Sequence, residues 1–444
     1  MAKPVQKKKI TVNRKAVSAV TLLLALALTV VFVTLGITGR DMDAQGLYKL
    51  LPWLPTPGET TLWRRALVPG AELGDTIVQT YTQPAAADAS DEDLTEAVSV
   101  LTARLINYGW TDAVVETSGE GQINVTLPAS ADPVYVAETL ASRGEYSFTD
   151  PEGNVFLTGD HIDAAGFTFS DQTGTSYALS FQFDKEGQEI FAQKSSELVG
   201  QSITLLRDGL EVASPSISTP LTQGAISIPN FPLEEARDNA ILMRSGALPF
   251  SLTLDQAGVQ GTPLMGINVQ RNLIILLFIA FVLIAALLIV RHRLAGVMAA
   301  WMLLLQLTLS YFFAALIGAG FTVSTLVGIY GSFLVMVFAL INLFGGMNSD
   351  IRRGRSVRQA IKEGYMTRGH ASLDVYAGLI FISVIMIIMD QGAVKAFFEV
   401  FALGLLLGLT LTHLALRLVM NEAINLLGAK SPLYTAPSTL KKEA

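Results

Sequence analysis

Cysteine is missing from the whole chain. That absence excludes disulfides, thiolate metal sites, a cysteine nucleophile and any lipid carried on a cysteine. Histidine is scarce. His161, His292, His370 and His413 lie far apart and form no HExxH-like pair, so no zinc site is expected. Charge is thin too: 16% of the 444 residues are charged, against about 25% in an ordinary soluble protein, while 51% are hydrophobic. Phosphate-cradling glycine loops and nucleophile elbows are both lacking, so nothing supports an ATPase or a hydrolase, and no cofactor is implied. The net charge of −7 is concentrated in one long polar stretch, which would repel phosphate, so nucleic acid is not an expected partner.

What fills the chain instead is a series of long apolar runs. Val17–Ile37 provides about 20 residues, enough to cross a hydrocarbon core of about 30 Å. Further runs lie near Leu273–Val290, Leu294–Ile317, Thr322–Phe344, Val375–Met389 and Ala396–Val419. The expected fold class is an α-helical membrane bundle of six transmembrane helices, with an α+β extracytoplasmic domain of two lobes inserted after the first. The first run is too long for the apolar part of a cleaved signal, and the following GITGRDMDA is a poor cleavage site, so an uncleaved anchor is expected.

Basic residues set the expected orientation. The N-terminal MAKPVQKKKITVNRK, the Arg291-His292-Arg293 turn, the loop Ile351–His370 and the tail with Arg417, Lys430, Lys441 and Lys442 all suit the cytoplasm. Residues 1–16 are then a cytoplasmic N-terminus and 17–37 the first span. Residues 38–270 form the outer domain, 272–420 the remaining five spans and 421–444 a cytoplasmic tail.

Within the outer domain, TPGETT (56–61) and QPAAADASDED (83–93) look like linkers. Asp91 or Asp93 caps a helix with Leu94, Ala97, Val98, Leu101 and Leu105 on one face, ended by Gly109. Ile123, Val125 and Leu127 alternate as a half-buried strand, Pro133–Ser142 reads as a helix and Glu145–Thr149 as a strand. The first lobe is placed at about 60–160 and the second at about 161–250. In the second, Tyr177–Phe183 is a strand, Asp184 caps a helix that stops at Gly200, Ser202–Leu206 and Ala225–Ile228 are strands, and Leu233–Met243 is a helix broken by Gly246 and Pro249.

LMRSGALP (Leu242–Pro249) and FDKEGQEIFAQKSSELVGQSITLLRDGLEVASPSI (Phe183–Ile217) resemble the SecD family of protein-export subunits, part of the RND superfamily. So do EAVSVLTARLINYGWTDAVVETSGEGQINVTLP (Glu96–Pro128), RHRLAG (Arg291–Gly296), RRGRSVRQAIKEGY (Arg352–Tyr365) and GAVKAFF (Gly392–Phe398), in the family's order across about 90–430. The resemblance implies a bacterial cell-membrane subunit that is not an enzyme and binds unfolded secretory polypeptide. It implies a SecF-like partner, a SecYEG-type channel and surrounding membrane lipid as neighbours, and late translocation steps coupled to proton flow. Departures are concentrated in the membrane. The family's fourth-span G-M-A-V-D-A-N motif erodes to VMVFALINLF, which puts Phe338 where the family's acid stands and leaves Asn342 as the polar residue. In the fifth span, D-A-N-L-T-T becomes DVYAGL, keeping Asp374 and putting Tyr376 in place of the asparagine. The LGLDLxGG-type stretch is also largely lost from RALVPGAELGDTIVQTY.

The expected proton-relay candidates are Asp374, His413 and Asn342. An acid inside a bundle costs about 2.5–3.5 kcal/mol and is functional by default. The competing reading has Asp374 capping its helix at the cytoplasmic edge or pairing with Arg368. Asn342 also reads as polar glue between helices, His413 as an interfacial hydrogen bonder near Arg417, and Gln306 as a packing residue. Gly246 and Pro249 form an expected hinge, glycine giving freedom and proline fixing direction. Two other functions stay open: a non-conducting SecD-like scaffold, favoured by Phe338, and half of an RND-type exporter of lipids or small molecules.

Overall fold

Six helices in the computed structural model are long and apolar enough to cross a membrane. The structure describes residues 14–38, 69–83, 90–118, 121–129, 133–170, 176–221, 224–317, 319–389 and 392–434. The TPGETT stretch, most of QPAAADASDED and the ends of both tails fall outside them. The first membrane helix, α1 (Arg14–Thr38), keeps large apolar side chains such as Leu23 and Leu24 exposed, as lipid contact requires.

After α1 in sequence comes a unit covering residues 69–267. Its elements are β1 (Thr76–Thr82), α2 (Asp91–Asn107), β2 (Val114–Ser118), β3 (Gln122–Pro128), α3 (Pro133–Ala141), β4 (Tyr146–Thr149) and β5 (Val155–Thr158). There follow β6 (Ile162–Phe169), β7 (Tyr177–Phe183), α4 (Lys185–Glu197), β8 (Thr204–Arg207), β9 (Leu210–Ala213), β10 (Ala225–Phe231), α5 (Leu233–Ser245) and β11 (Thr253–Gly261). The first lobe is an antiparallel sheet of order β11-β1-β3-β2. Ile123, Val125 and Leu127 alternate along β3 and are fully buried with Leu101 and Leu105 of α2 and Leu140 of α3. Each such side chain contributes about 1.5–3 kcal/mol by leaving water.

The second lobe has two sheets, β5-β4-β8-β9 and β10-β7-β6. Phe148 of β4 is its aromatic centre, with the rings of Phe156, Phe181, Phe183 and Phe191 between 5.3 and 6.5 Å away. Asp184 caps α4 as expected, accepting from Gly187 N–H at 2.7 Å. The cap of α2 is corrected. It is Ser90, which accepts from Asp93 N–H while the Asp93 carboxylate accepts from Ser90 N–H, so Asp93 is the third helical residue of a capping box.

The lobe boundary is corrected as well. Strands β4 and β5, expected in the first lobe, pair with each other and through β8 belong to the second, in the register Tyr146↔Arg207 to Thr149↔Thr204. Residues beyond 250 return to the first lobe, because β11 pairs with β1 and Leu248 and Leu252 enter that lobe's core. The second lobe is thus an insertion within the first. Strand partnership is a long-range property, and local alternation does not reveal it.

The other unit gathers α1 with α6 (Val269–His292), α7 (Leu294–Leu316), α8 (Val323–Arg352), α9 (Val357–Met389), α10 (Gly392–Thr410), a π-helical turn (Leu411–Ala415), α11 (Leu416–Leu427) and α12 (Ser431–Tyr434). Two expectations change here. The basic loop 351–370 shrinks to a turn at 353–356, because Val357, Ala360, Ile361, Gly364 and Tyr365 recur at helical spacing and bury in the bundle core. The last helix runs on to Leu427 through the π turn, so His413 stands within a continuous helix rather than at its end.

Candidate functional site

Asp374, His413 and Asn342 sit in one helical unit but share no contact among the described residues. Asn342, half-buried on α8, accepts a hydrogen bond from Arg368 Nη1 at 3.2 Å. Gly346 makes that possible, since a side chain there would collide with the Arg368 stem. Arg368 therefore serves Asn342, and the expected Arg368–Asp374 pair does not form. Asp374 lies mid-helix in α9, so it caps nothing, and its carboxylate is exposed on the bundle surface. Phe338 stands on the exposed face of α8, with 72% of its surface free.

His413 sits on the π turn. Its Nε2 is 3.1 Å from Ser372 Oγ, and its ring meets Tyr365 edge-on at 6.1 Å. Tyr365 donates its hydroxyl to Thr412 O at 2.9 Å, and the Arg417 guanidinium lies over its ring, 5.6 Å from the centroid. Gly369 packs beside the imidazole, where an added Cβ would make an ordinary contact at 3.5 Å. A π turn widens the backbone ring by one residue and is often kept where side chains must be re-aimed.

Further in, polar side chains converge on α10: Gln306 and Tyr376, which the sequence offered no role beyond packing, and Ser310 and Ser332, which it passed over. Gln306 of α7 is fully buried and donates to Gly404 O at 3.0 Å. Ser310 of α7 and Ser332 of α8 are fully buried near the same glycine, where an added Cβ would collide with Ser332. One turn along, a Cβ on Gly408 would stand 3.0 Å from the Tyr376 hydroxyl and 3.1 Å from Gln306 Nε2. The signal for this cluster was in the sequence: small or polar residues spaced by four at Gln306/Ser310 and Gly404/Gly408.

In the other unit, Gly246 ends α5 at φ +82, a backbone state that favours glycine. It lies between α5 and β11, hence between the two lobes. Arg104 of α2 is wholly buried there. Its Nη1 donates to Leu140 O at 3.0 Å and Ser142 O at 2.5 Å, and its Nη2 to Arg143 O at 2.9 Å and Gly246 O at 3.2 Å. Burial pulls its pKa down to about 10, so it stays charged at neutral pH. Leu248 N–H donates to Arg143 O at 2.8 Å, and Pro249 follows directly. No cluster of metal-ligating side chains occurs among the described residues.

The family description SecDF, P1 head subdomain, matches residues 137–250. That span contains the whole second lobe, from β4 to α5, together with the end of α3 and Leu248 of the first. The protein translocase subunit SecD of Acidaminococcus fermentans is 25% identical over 372 residues, covering 84% of this chain and 88% of that protein. The SecD of Desulfurispirillum indicum is 24% identical over 377 residues, covering 76% and 73%. Among solved structures, SecDF in its super-membrane-facing form superposes with a TM-score of 0.69 at 22% identity. It covers 94% of this chain, which spans 59% of that longer one, and it shows the shared fold: a helical membrane bundle with an inserted α+β head domain. The chain is a membrane protein and a divergent relative of SecD.

Proposed function

We propose that the chain is an accessory subunit of a Sec-type export machine, with its large unit outside the membrane and its termini in the cytoplasm. There it binds translocating, unfolded polypeptide, beside a SecF-like partner and a SecYEG-type channel, and assists late steps linked to a proton gradient. The supporting observation is that relatives named protein translocase subunit align along most of this chain, through both the head lobe and the bundle. Lipid meets the apolar faces of α1 and α6, where Leu24, Phe278 and Val290 are exposed.

In this reading Asp374 is the proton-exchanging acid, with His413 and Asn342 as subordinate polar groups. An ionisable residue on a membrane helix is a functional candidate by default. Asp374→Asn in an export assay, run with and without a proton gradient, is the test. Loss of gradient dependence supports the relay, and unchanged dependence removes Asp374 from it. A second reading, a scaffold that binds without conducting, draws on Phe338, which puts an apolar ring on the exposed face of α8.

Gly246 and Pro249 are proposed as the joint at which the head lobe moves on its base. Cysteines at Arg143 and Leu248, whose backbones already hydrogen-bond, would lock it on oxidation. Export that continues unchanged in the locked form would remove the hinge.

A further inference from the structure

Between β11 and α6 the chain makes a tight turn over residues 263–266, closed by Gly266 N–H donating to Pro263 O at 2.9 Å, with Gly266 at φ +104. The two residues at its tip are Leu264 and Met265, 46% and 49% exposed, and Ile267 just beyond is 75% exposed. Tips of exposed turns are ordinarily built from Gly, Pro, Asn, Asp and Ser, whose polarity or backbone freedom suits water and a sharp bend. Here the tip is aliphatic, and residues 261–270 carry no charge at all.

The turn is also held firmly. Leu264 N–H donates to Ala71 O and Met265 N–H to Glu72 O, each at 3.1 Å. Just before it, Thr76 Oγ1 donates to Thr262 O at 3.0 Å, an approach that Gly261 permits because a Cβ there would collide with that hydroxyl. Pro263 has no N–H to satisfy. The tip's own backbone donors are therefore already used inside the first lobe. That is the condition for entering an apolar medium, where an unpaired N–H finds no replacement partner.

We infer that Leu264, Met265 and Ile267 form a membrane-surface anchor, a turn whose apolar tip dips into the bilayer that α6 crosses and fastens the first lobe to it. Chain length identifies the occupant as lipid. Ile267 stands two residues before Val269, where α6 begins, and Met265 four, so at most about 14 Å of extended chain separates the tip from a membrane helix. An uncharged tip enters zwitterionic lipid as readily as anionic lipid, and salt does not weaken its hold. The anchor stands on this geometry alone. Its use rests on the joint proposed above at Gly246 and Pro249: a first lobe held at the bilayer is the footing on which the head lobe turns.

The natural chain has no cysteine, so single labels can be introduced without removing any. Leu264→Cys, Met265→Cys and, as a reference, Leu210→Cys each carry a nitroxide on the full chain in phosphatidylcholine nanodiscs. Leu210 is 73% exposed and opens β9 of the second lobe. Collision with oxygen, which concentrates in lipid, is compared with collision with a water-soluble nickel chelate. The oxygen-to-nickel ratio at 264 and 265 is expected to exceed that at 210 several-fold and to be the same at low and high salt. Adding Met265→Ser and Ile267→Ser beside the label at 264 is expected to bring its ratio down toward that at 210. Ratios at 264 and 265 equal to that at 210 put the tip in water, and shielding from both reagents puts it under protein; either result overturns the anchor. So does a ratio at 264 that the two serines leave unmoved. A lipid-embedded tip in a chain whose export survives locking of the joint keeps the anchor and retires only the footing.

Discussion

The α+β unit and the membrane bundle both bury polar side chains, but they hold them to different degrees. In the soluble unit a whole guanidinium, Arg104, is sealed from solvent and spends four donations on carbonyls that stitch α2, the segment after α3 and Gly246 together. In the bundle smaller neutral groups, Gln306, Ser310, Tyr376 and Thr412, are sealed just as completely and keep polar atoms open. A buried group held by four bonds keeps a single arrangement, as Arg104 does although its Nε has no partner, and one held by fewer is freer to rearrange. The first pattern suits a lobe that must stay one shape, and the second leaves the polar tips of the bundle freer to move.

The contrast can be broken most forcefully at Arg104. Arg104→Met keeps the length and removes the donors, stranding buried carbonyls, and is expected to cost the soluble unit about 3 kcal/mol. Thermal unfolding of the detergent-solubilised chain checks this. A loss comparable to a surface substitution would show that the stitch is ornamental. The equivalent attack on the bundle is Gly404→Ala, whose new methyl meets Ser332. Overpacking there is expected to cost about 1–3 kcal/mol. Ser332→Gly in the same chain should restore most of that, and a failure of rescue would place the clash elsewhere.

Acid should divide the chain more gently. Asp184 is held below the ordinary carboxylate range, first by the Gly187 N–H and then by His161, and Asp150 is held low first by the Asn154 N–H. Both are harder to protonate folded than unfolded. The stability they add is present above the unfolded value of about 3.9 and is lost as pH falls through their lower folded values. Melting of the head lobe should therefore be flat from neutral pH down to about 4 and decline below it. Asp184→Asn should flatten that decline, and an unaltered acid limb would assign it to other groups.

What could be read without coordinates was local in its physics. The α4 helix announced itself through Asp184, its apolar face and Gly200, and each signal acts within a few residues. Tyr177–Phe183 and the β3 alternation were legible for the same reason. The lobe partition was not, because β4 and β8 recognise each other across more than fifty residues of chain. The site fared likewise. Asp374, His413 and Asn342 stood out as polar residues in apolar runs, yet the competing reading that Asp374 caps its helix or pairs with Arg368 fails, because Gly346 opens the way from Arg368 to Asn342 instead. Tyr376 looked like a lost asparagine and proved to be a fully buried member of the cluster on α10.

The sequence alone therefore determined that six apolar helices cross a membrane and that one α+β segment is inserted after the first, because hydrophobic length and periodicity are carried by consecutive residues. Tertiary structure alone decided which lobe each strand joins, which residue Arg368 serves, and that four neutral polar groups gather where two glycines of α10 leave space. Those outcomes depend on which surfaces meet, and a side chain's neighbours are set by the packing of helices and strands far apart in the chain.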